Sequence, residues 1–541
     1  MTMTTIQTAP IDGQKPGTSG LRKKTRVFMG QHYLENFVQA IFDGIGGVAG
    51  KTLIVGGDGR FYNDTATETI LRMAAANGAA KVIAGQNGLL STPAASHLIR
   101  SMKTDGGIIL SASHNPGGID EDFGIKFNMP NGGPAPESVT NAIFDVTKTI
   151  ETYQIYNGDT VDLSTLGHSA LGEMQIEIVD PVSAYVDLMQ TLFDFPAIKA
   201  MIASGTKIRF DAMNAITGPY ASAIIEDLLG ATKGSVVHGT PLPDFGGMHP
   251  DPNPTWAHEL MDEMMGSDAP AFGCASDGDG DRNMIVGPNC YVSPSDSLAV
   301  IAANATVAPG YAGGLKGVAR SMPTSAAVDR VADALGIECY ETPTGWKFFG
   351  NLMDDGRVSL CGEESFGTGS DHVREKDGVW AVLMWLNIMA STKKSVPQIM
   401  QDHWEKFGRN YYSRHDFEAI ETDKADAMIT ALRGKLAGLS GQTFGTLTIE
   451  TADDYSYLDP VDGSTSAHQG VRVVFKGGAR FVVRLSGTGT SGATMRLYAE
   501  KLDMTNFNQD PQVALADVLS VAHEIIQTEA FSGRTAPDVV T

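Results

Sequence analysis

TLIVGGDGRFYNDTATETILRMAAANGAAKVIAG, residues 52–85, decides the fold. TLIVGGDGR (52–60) is an apolar run ending in a glycine turn and reads as a strand. Helical spacing follows over roughly 63–77, and KVIAG (81–85) is a second strand. Outward from this unit, GGIILSASHNPGG (106–118) is a third strand running into a polar loop. The pattern restarts at KIRFDAMNAITG (207–218), with a helix to about 229 and a strand in AFGCASDGDGD (271–281). It restarts again at GVARSM (317–322), with a helix to about 335, then ECYETPTG (338–345) and VSLCGEES (358–365). Strands alternating with helices predict α/β layers, with function in the loops beyond the strand C-termini.

The end of the chain differs. VRVVF (471–475), RFVVRLS (480–486) and TMRLYAE (494–500) crowd together, with helices near 423–437 and 511–528, which predicts an α+β unit with an antiparallel sheet. PLPDFGGMHPDPNP (241–254) reads as a rigid loop inside the second unit. The expected division is three related α/β domains with mixed sheets, 1–182, 183–296 and 297–405, then an α+β domain, 406–541, all around a central cleft. The relation among the three is one of pattern rather than of sequence.

A chain of 541 residues with 42% hydrophobic and 19% charged residues can bury a large core. Its net charge of −23 argues against nucleic acid and anionic membranes as partners. The four cysteines form no C-x-x-C pair, MTMTTIQTAP lacks the marks of a signal peptide, and no apolar run reaches the roughly 18 residues of a membrane span. A soluble, cytoplasmic protein is expected, a monomer or weak homo-oligomer.

Four loops carry chemistry. DGDGDR sets Asp277, Asp279 and Asp281 on alternate residues after an apolar strand, oxygen donors suited to a hard cation such as Mg²⁺ or Ca²⁺. An EF-hand does not fit, because its sixth and twelfth positions hold Arg282 and Pro288; a solvated turn is the plainer alternative. SASHNPGG offers Ser113 either to a cleft or to a simple turn. RLSGTGTSG (484–492) combines Arg484, Ser486, Thr488 and free amides into a possible phosphate nest, with Arg496 on the next strand. CGEESFGTGSDHVREKDG (361–378) brings Glu363 and Ser365, suited to sugar hydroxyls, beside His372 and Lys376; Arg374 and Glu375 read as an exposed charged loop. PTGWKFFG (343–350) adds Thr344, with Trp346, Phe348 and Phe349 read as core, and GTSGLRKK (17–24) adds Arg22, with an exposed basic tail as its plain alternative.

Taken in chain order, SASHNPGG, DGDGDR, GEESFG and RLSGTGTSG resemble the four loops of the α-D-phosphohexomutase superfamily, closest to its phosphoglucomutase branch, across nearly the whole chain. The resemblance implies that Ser113 carries a phosphoryl group and that Asp277, Asp279 and Asp281, with a Ser113 phosphate oxygen, hold one Mg²⁺. It implies that Thr344, Glu363 and Ser365 hold hexose hydroxyls, and that Arg484, Ser486, Thr488 and Arg496 grip the idle phosphate. Arg22, His114, Lys126, Arg282 and Lys376 match basic positions of that site. The implied reaction interconverts glucose 1-phosphate and glucose 6-phosphate through glucose 1,6-bisphosphate, with Lys126 or Lys376 taking the hydroxyl proton if cationic neighbours depress its pKa. A mutase for mannose phosphate and a non-catalytic scaffold are the competing readings. One departure is Ser111, where the family usually has Thr; Ser111→Ala is expected to be mild.

Overall fold

The computed structural model describes residues 2–17, 19–158, 160–489 and 492–541, with backbone alone at 2 and 487–489. Three units repeat one arrangement of four strands. In the first the strands are Thr52–Gly57, Lys81–Leu89, Gly107–Leu110 and Asp122–Asn128. In the second they are Ile208–Asp211, Val236–Val237, Phe272–Ser276 and Asn283–Gly287. In the third they are Gly317–Ser321, Glu338–Thr342, Leu360–Gly362 and Thr368–Ser370. Each time the spatial order is second, first, third, fourth. The first strand runs parallel to the second and third, and the fourth returns antiparallel to the third.

That order sends the chain one way from the first strand and then the other way, so a crevice opens between the loops after the first and third strands. The serine, aspartate and GEESFG loops each follow a third strand and lead back into the fourth. The repeat seen in the sequence as pattern therefore extends to strand order and to loop position.

The first sheet is wider than its sequence suggests. Leu21–Lys24 adds beyond its fourth strand, and the hairpin Gly167–Leu171 and Met174–Val179 adds beyond its second. The helix Gly378–Thr392 is apolar all round and is buried along 12 of its 15 residues. Its Trp380 and Trp385 share one continuous core with Ile54 and Leu98 of the first unit, Tyr220 of the second and Val318 of the third.

The last unit is a seven-stranded, wholly antiparallel sheet. The helices Thr422–Leu439 and Ala516–Ile526 cover one face. On the other, Tyr455, Tyr457, Val482 and Tyr498 pack against Met322 and Phe348 of the third unit. Its twelve-residue strand Arg409–Ile420 lies outside the sequence expectation, because Arg414, His415 and Asp416 interrupt its apolar pattern. The helix expected to about 229 changes from α to π winding at Ser222–Leu228, and the one near 511–528 is three short helices.

Candidate active site

The strand Gly107–Leu110 is buried throughout and delivers the serine loop into the interior. Ser111 Oγ accepts the Ser113 backbone N–H at 2.7 Å. Ser113 takes a left-handed conformation, φ 53°, which few non-glycine residues adopt without tight surroundings. Its Oγ donates to Asp277 Oδ2 at 3.0 Å, joining two loops 164 residues apart. His114 Nδ1 lies 3.4 Å from the same Oγ. Burial, then Arg282, Arg22 and Lys376, hold the His114 imidazole well below its ordinary pKa, so it is neutral.

The aspartate loop is tied inward by its own backbone. Asp277 Oδ1 accepts the N–H groups of Asp281 and Arg282 at 2.9 and 3.0 Å. Thr92 donates its hydroxyl to Asp279 Oδ2 at 2.7 Å and its N–H to the Asp279 carbonyl at 3.0 Å. The result is three buried carboxylates whose oxygens lie within 4.8 Å of one another. Burial and mutual repulsion raise the pKa of Asp277 and Asp281. Burial would raise Asp279 too, yet Lys126, the Thr92 hydroxyl, Lys376 and Arg22 bring it down to about 2. Asp279 Oδ1 and Asp281 Oδ1 are buried without a hydrogen-bond partner. Hard oxygen donors converging with unfilled acceptors fit a divalent cation, which would offset their repulsion.

Cations surround this pair of loops. Arg22 stands on the sheet-edge strand Leu21–Lys24 rather than on an exposed tail, within electrostatic reach of Asp279 and Asp281. Arg282 Nη1 is 3.5 Å from Asp251. Lys376 Nζ lies 3.5 Å from Asp281 and 4.0 Å from Glu363, connecting the aspartate and GEESFG loops. Glu363 Oε1 accepts the Gly345 N–H at 3.1 Å, while the Thr344 hydroxyl is buried with no partner. Ser365 is half-buried in the same loop, and Trp346, Phe348 and Phe349 are core.

Two expectations change. Arg374 and Glu375 are buried, not exposed: Arg374 bonds Asp354, and Glu375 Oε1 accepts from Lys126 at 3.0 Å and Asn128 at 2.9 Å. Burial favours the neutral form of Lys126, but Glu375, Asp279 and Asp281 outweigh it and raise its pKa. Lys126 is thus a fixed positive charge and lacks the depressed pKa that a proton acceptor requires.

The phosphate-nest residues form a separate group on the last sheet. Arg484 and Arg496 face each other on neighbouring strands, and Ser486 stands opposite Thr494. Arg484 Nε donates to the Gln469 carbonyl at 3.2 Å, and Arg496 Nε lies 3.6 Å from Asp416. The Thr488 side chain lies outside the described residues. Among the described residues, no hydrogen bond or ion pair joins this group to the serine or aspartate loops.

Thr92, Asp58 and Arg60 contact the serine and aspartate loops without being singled out by sequence. Only the polar turn at 58–60 after an apolar strand carries a local signal of its own.

Family models match four consecutive segments. Domains I, II and III of phosphoglucomutase/phosphomannomutase match residues 13–154, 183–289 and 294–407, and the phosphoglucomutase-1 C-terminal domain matches 409–538. The chain is 57% identical over 539 residues to a phosphoglucomutase of Rhizobium radiobacter, covering 99% of both chains. It is 52% identical to human phosphoglucomutase-1, again over 99% of each. The solved open form of pp63/parafusin, a phosphoglucomutase from Paramecium, superposes with a TM-score of 0.93 at 46% identity, over 100% of this chain and 99% of that one. With sequence, domain order and fold agreeing along the whole length, the chain belongs to the phosphoglucomutase family.

Proposed function

We propose that this chain performs its family's reaction, the interconversion of α-D-glucose 1-phosphate and glucose 6-phosphate, through a phosphoryl group carried on Ser113. The observation that carries the proposal is the contact of Ser113 Oγ with Asp277 inside the three-aspartate cluster. The phosphoserine gives its phosphoryl group to the 6-hydroxyl of glucose 1-phosphate: the Ser113 O–P bond breaks as the bond to O6 forms. Glucose 1,6-bisphosphate then turns over in the cleft and returns its 1-phosphate to Ser113, leaving glucose 6-phosphate.

The proton shed by the 6-hydroxyl is the one Ser113 Oγ takes up. Neutral His114, 3.4 Å from that oxygen, stands where it can pass it on. Asp277, Asp279 and Asp281 would hold Mg²⁺, which supplies charge neutralisation for the transferring phosphoryl group. Arg22, Arg282 and Lys126 add fixed positive charge. Thr344, Glu363, Ser365 and Lys376 would take the sugar, and Arg484, Ser486, Thr488 and Arg496 the phosphate that is not reacting.

The cytoplasm suits this reading, since Cys274, Cys290, Cys339 and Cys361 are all unpaired, as in a reducing compartment. Mass spectrometry after incubation with glucose 1,6-bisphosphate tests the central claim: a peptide about 80 Da heavier should contain Ser113. Modification at Ser111 or elsewhere instead would overturn it.

A further inference from the structure

Asp58 and Arg60 follow the first strand of the first unit, across the crevice from the serine loop. Both side chains are fully buried and paired, Arg60 Nε lying 3.0 and 2.9 Å from the two Asp58 oxygens. Nη2 also lies 2.9 Å from Asp58 Oδ2, and both terminal nitrogens reach one loop. Nη2 donates to the Ser113 carbonyl at 2.8 Å, and Nη1 donates to the carbonyls of Asp122 at 2.8 Å and Asn115 at 3.4 Å. One face of the group lies over the Phe245 ring, 5.2 Å from its centre, and the Phe61 N–H donates to the Pro243 carbonyl at 2.7 Å. A left-handed serine persists only where its surroundings over-determine it. Arg60 binds that serine's own carbonyl and two more carbonyls further along the same loop.

We infer that Arg60 is a positioning residue for phosphoryl transfer: its fork holds the Ser113 backbone so that Oγ faces Asp277. The inference rests on Ser113 being the phosphate carrier. Asp58 holds the guanidinium in plane through both of its carboxylate oxygens, and Phe245 ties the same group to the second unit.

Lysine at this position keeps the charge beside Asp58 but cannot span three carbonyls with one ammonium. Arg60→Lys should therefore lower kcat about 100-fold, the cost of a misplaced reacting group, with KM for glucose 1-phosphate unchanged. Phosphorylation of Ser113 by glucose 1,6-bisphosphate should slow in the same proportion. In Arg60→Ala, added guanidinium should restore part of kcat; if that variant does not fold, Arg60→Lys decides alone. A wild-type kcat in Arg60→Lys, or a loss wholly accounted for by its unfolded fraction, overturns the inference. Phosphate mapped to a residue other than Ser113 overturns instead the reading on which it rests.

Discussion

Ser111 and Ser113 differ by two positions and by what their hydroxyls face. Ser113→Ala removes the oxygen that meets Asp277 and should abolish turnover. Ser111→Ala removes a buried acceptor 2.7 Å from the Ser113 N–H, a loss of about 1 kcal/mol, so a kcat about five-fold lower is expected rather than a silent change. Steady-state rates on glucose 1-phosphate check both. The aspartate cluster gives a second prediction. Mg²⁺ should raise the melting temperature of the wild type by binding the folded state, and Asp279→Asn should abolish most of that rise in a thermal scan. Asp277, Asp279 and Asp281 were legible from sequence because all three sit within five residues and the loop folds on itself. The pairing of Lys126 with Glu375 was not, because 249 residues separate them and neither neighbourhood points to the other. Reading Glu375 as exposed followed from its charged local company, which a tertiary ion pair overrides.

Loops and helices carry predictions of their own. A Cβ on Gly278 would fall well inside contact distance of the Ser113 carbonyl, so Gly278→Ala should drive the serine and aspartate loops apart. A stability loss of about 1–3 kcal/mol is expected, with a larger fall in kcat than in folded fraction, read by urea titration alongside assay. In the helix Val396–Phe407, burial pushes the His403 imidazole down from 6.5 to about 4. The unfolded chain therefore binds this proton first. Above pH 6.5 neither state carries it; as pH falls from there toward 4, the fold loses up to about 3 kcal/mol. Denaturant midpoints from pH 7.5 to 4 should show that slope, and His403→Gln should flatten it. Strand and helix positions in the α/β units were readable because their apolar runs are short, bounded by glycine and matched to burial. Arg409–Ile420 escaped because its polar residues answer partners far along the chain: Asp416 lies 3.6 Å from Arg496, and His415 Nε2 lies 2.9 Å from Gln512 Oε1.

At the scale of the molecule, the last unit is fastened to the third. Arg480 pairs with Glu500 and donates to the carbonyls of Met322 and Thr324, while Arg472 reaches Glu341. Among the described residues, no hydrogen bond or ion pair joins residues up to 182 to those after 408. The first and last units are therefore not tied by polar contacts, and Arg484 and Arg496 bond within the last unit, to the Gln469 carbonyl and beside Asp416. Glucose 1,6-bisphosphate should draw the last unit inward, and small-angle scattering should register a smaller radius of gyration on binding; an unchanged radius would count against closure. The central helix Gly378–Thr392 begins two residues after Lys376 and is enclosed by core from all three α/β units. Lys376 can hold its post only while that whole interior stays assembled. Catalysis should consequently vanish along the same urea curve as tryptophan fluorescence, with no half-melted species able to work.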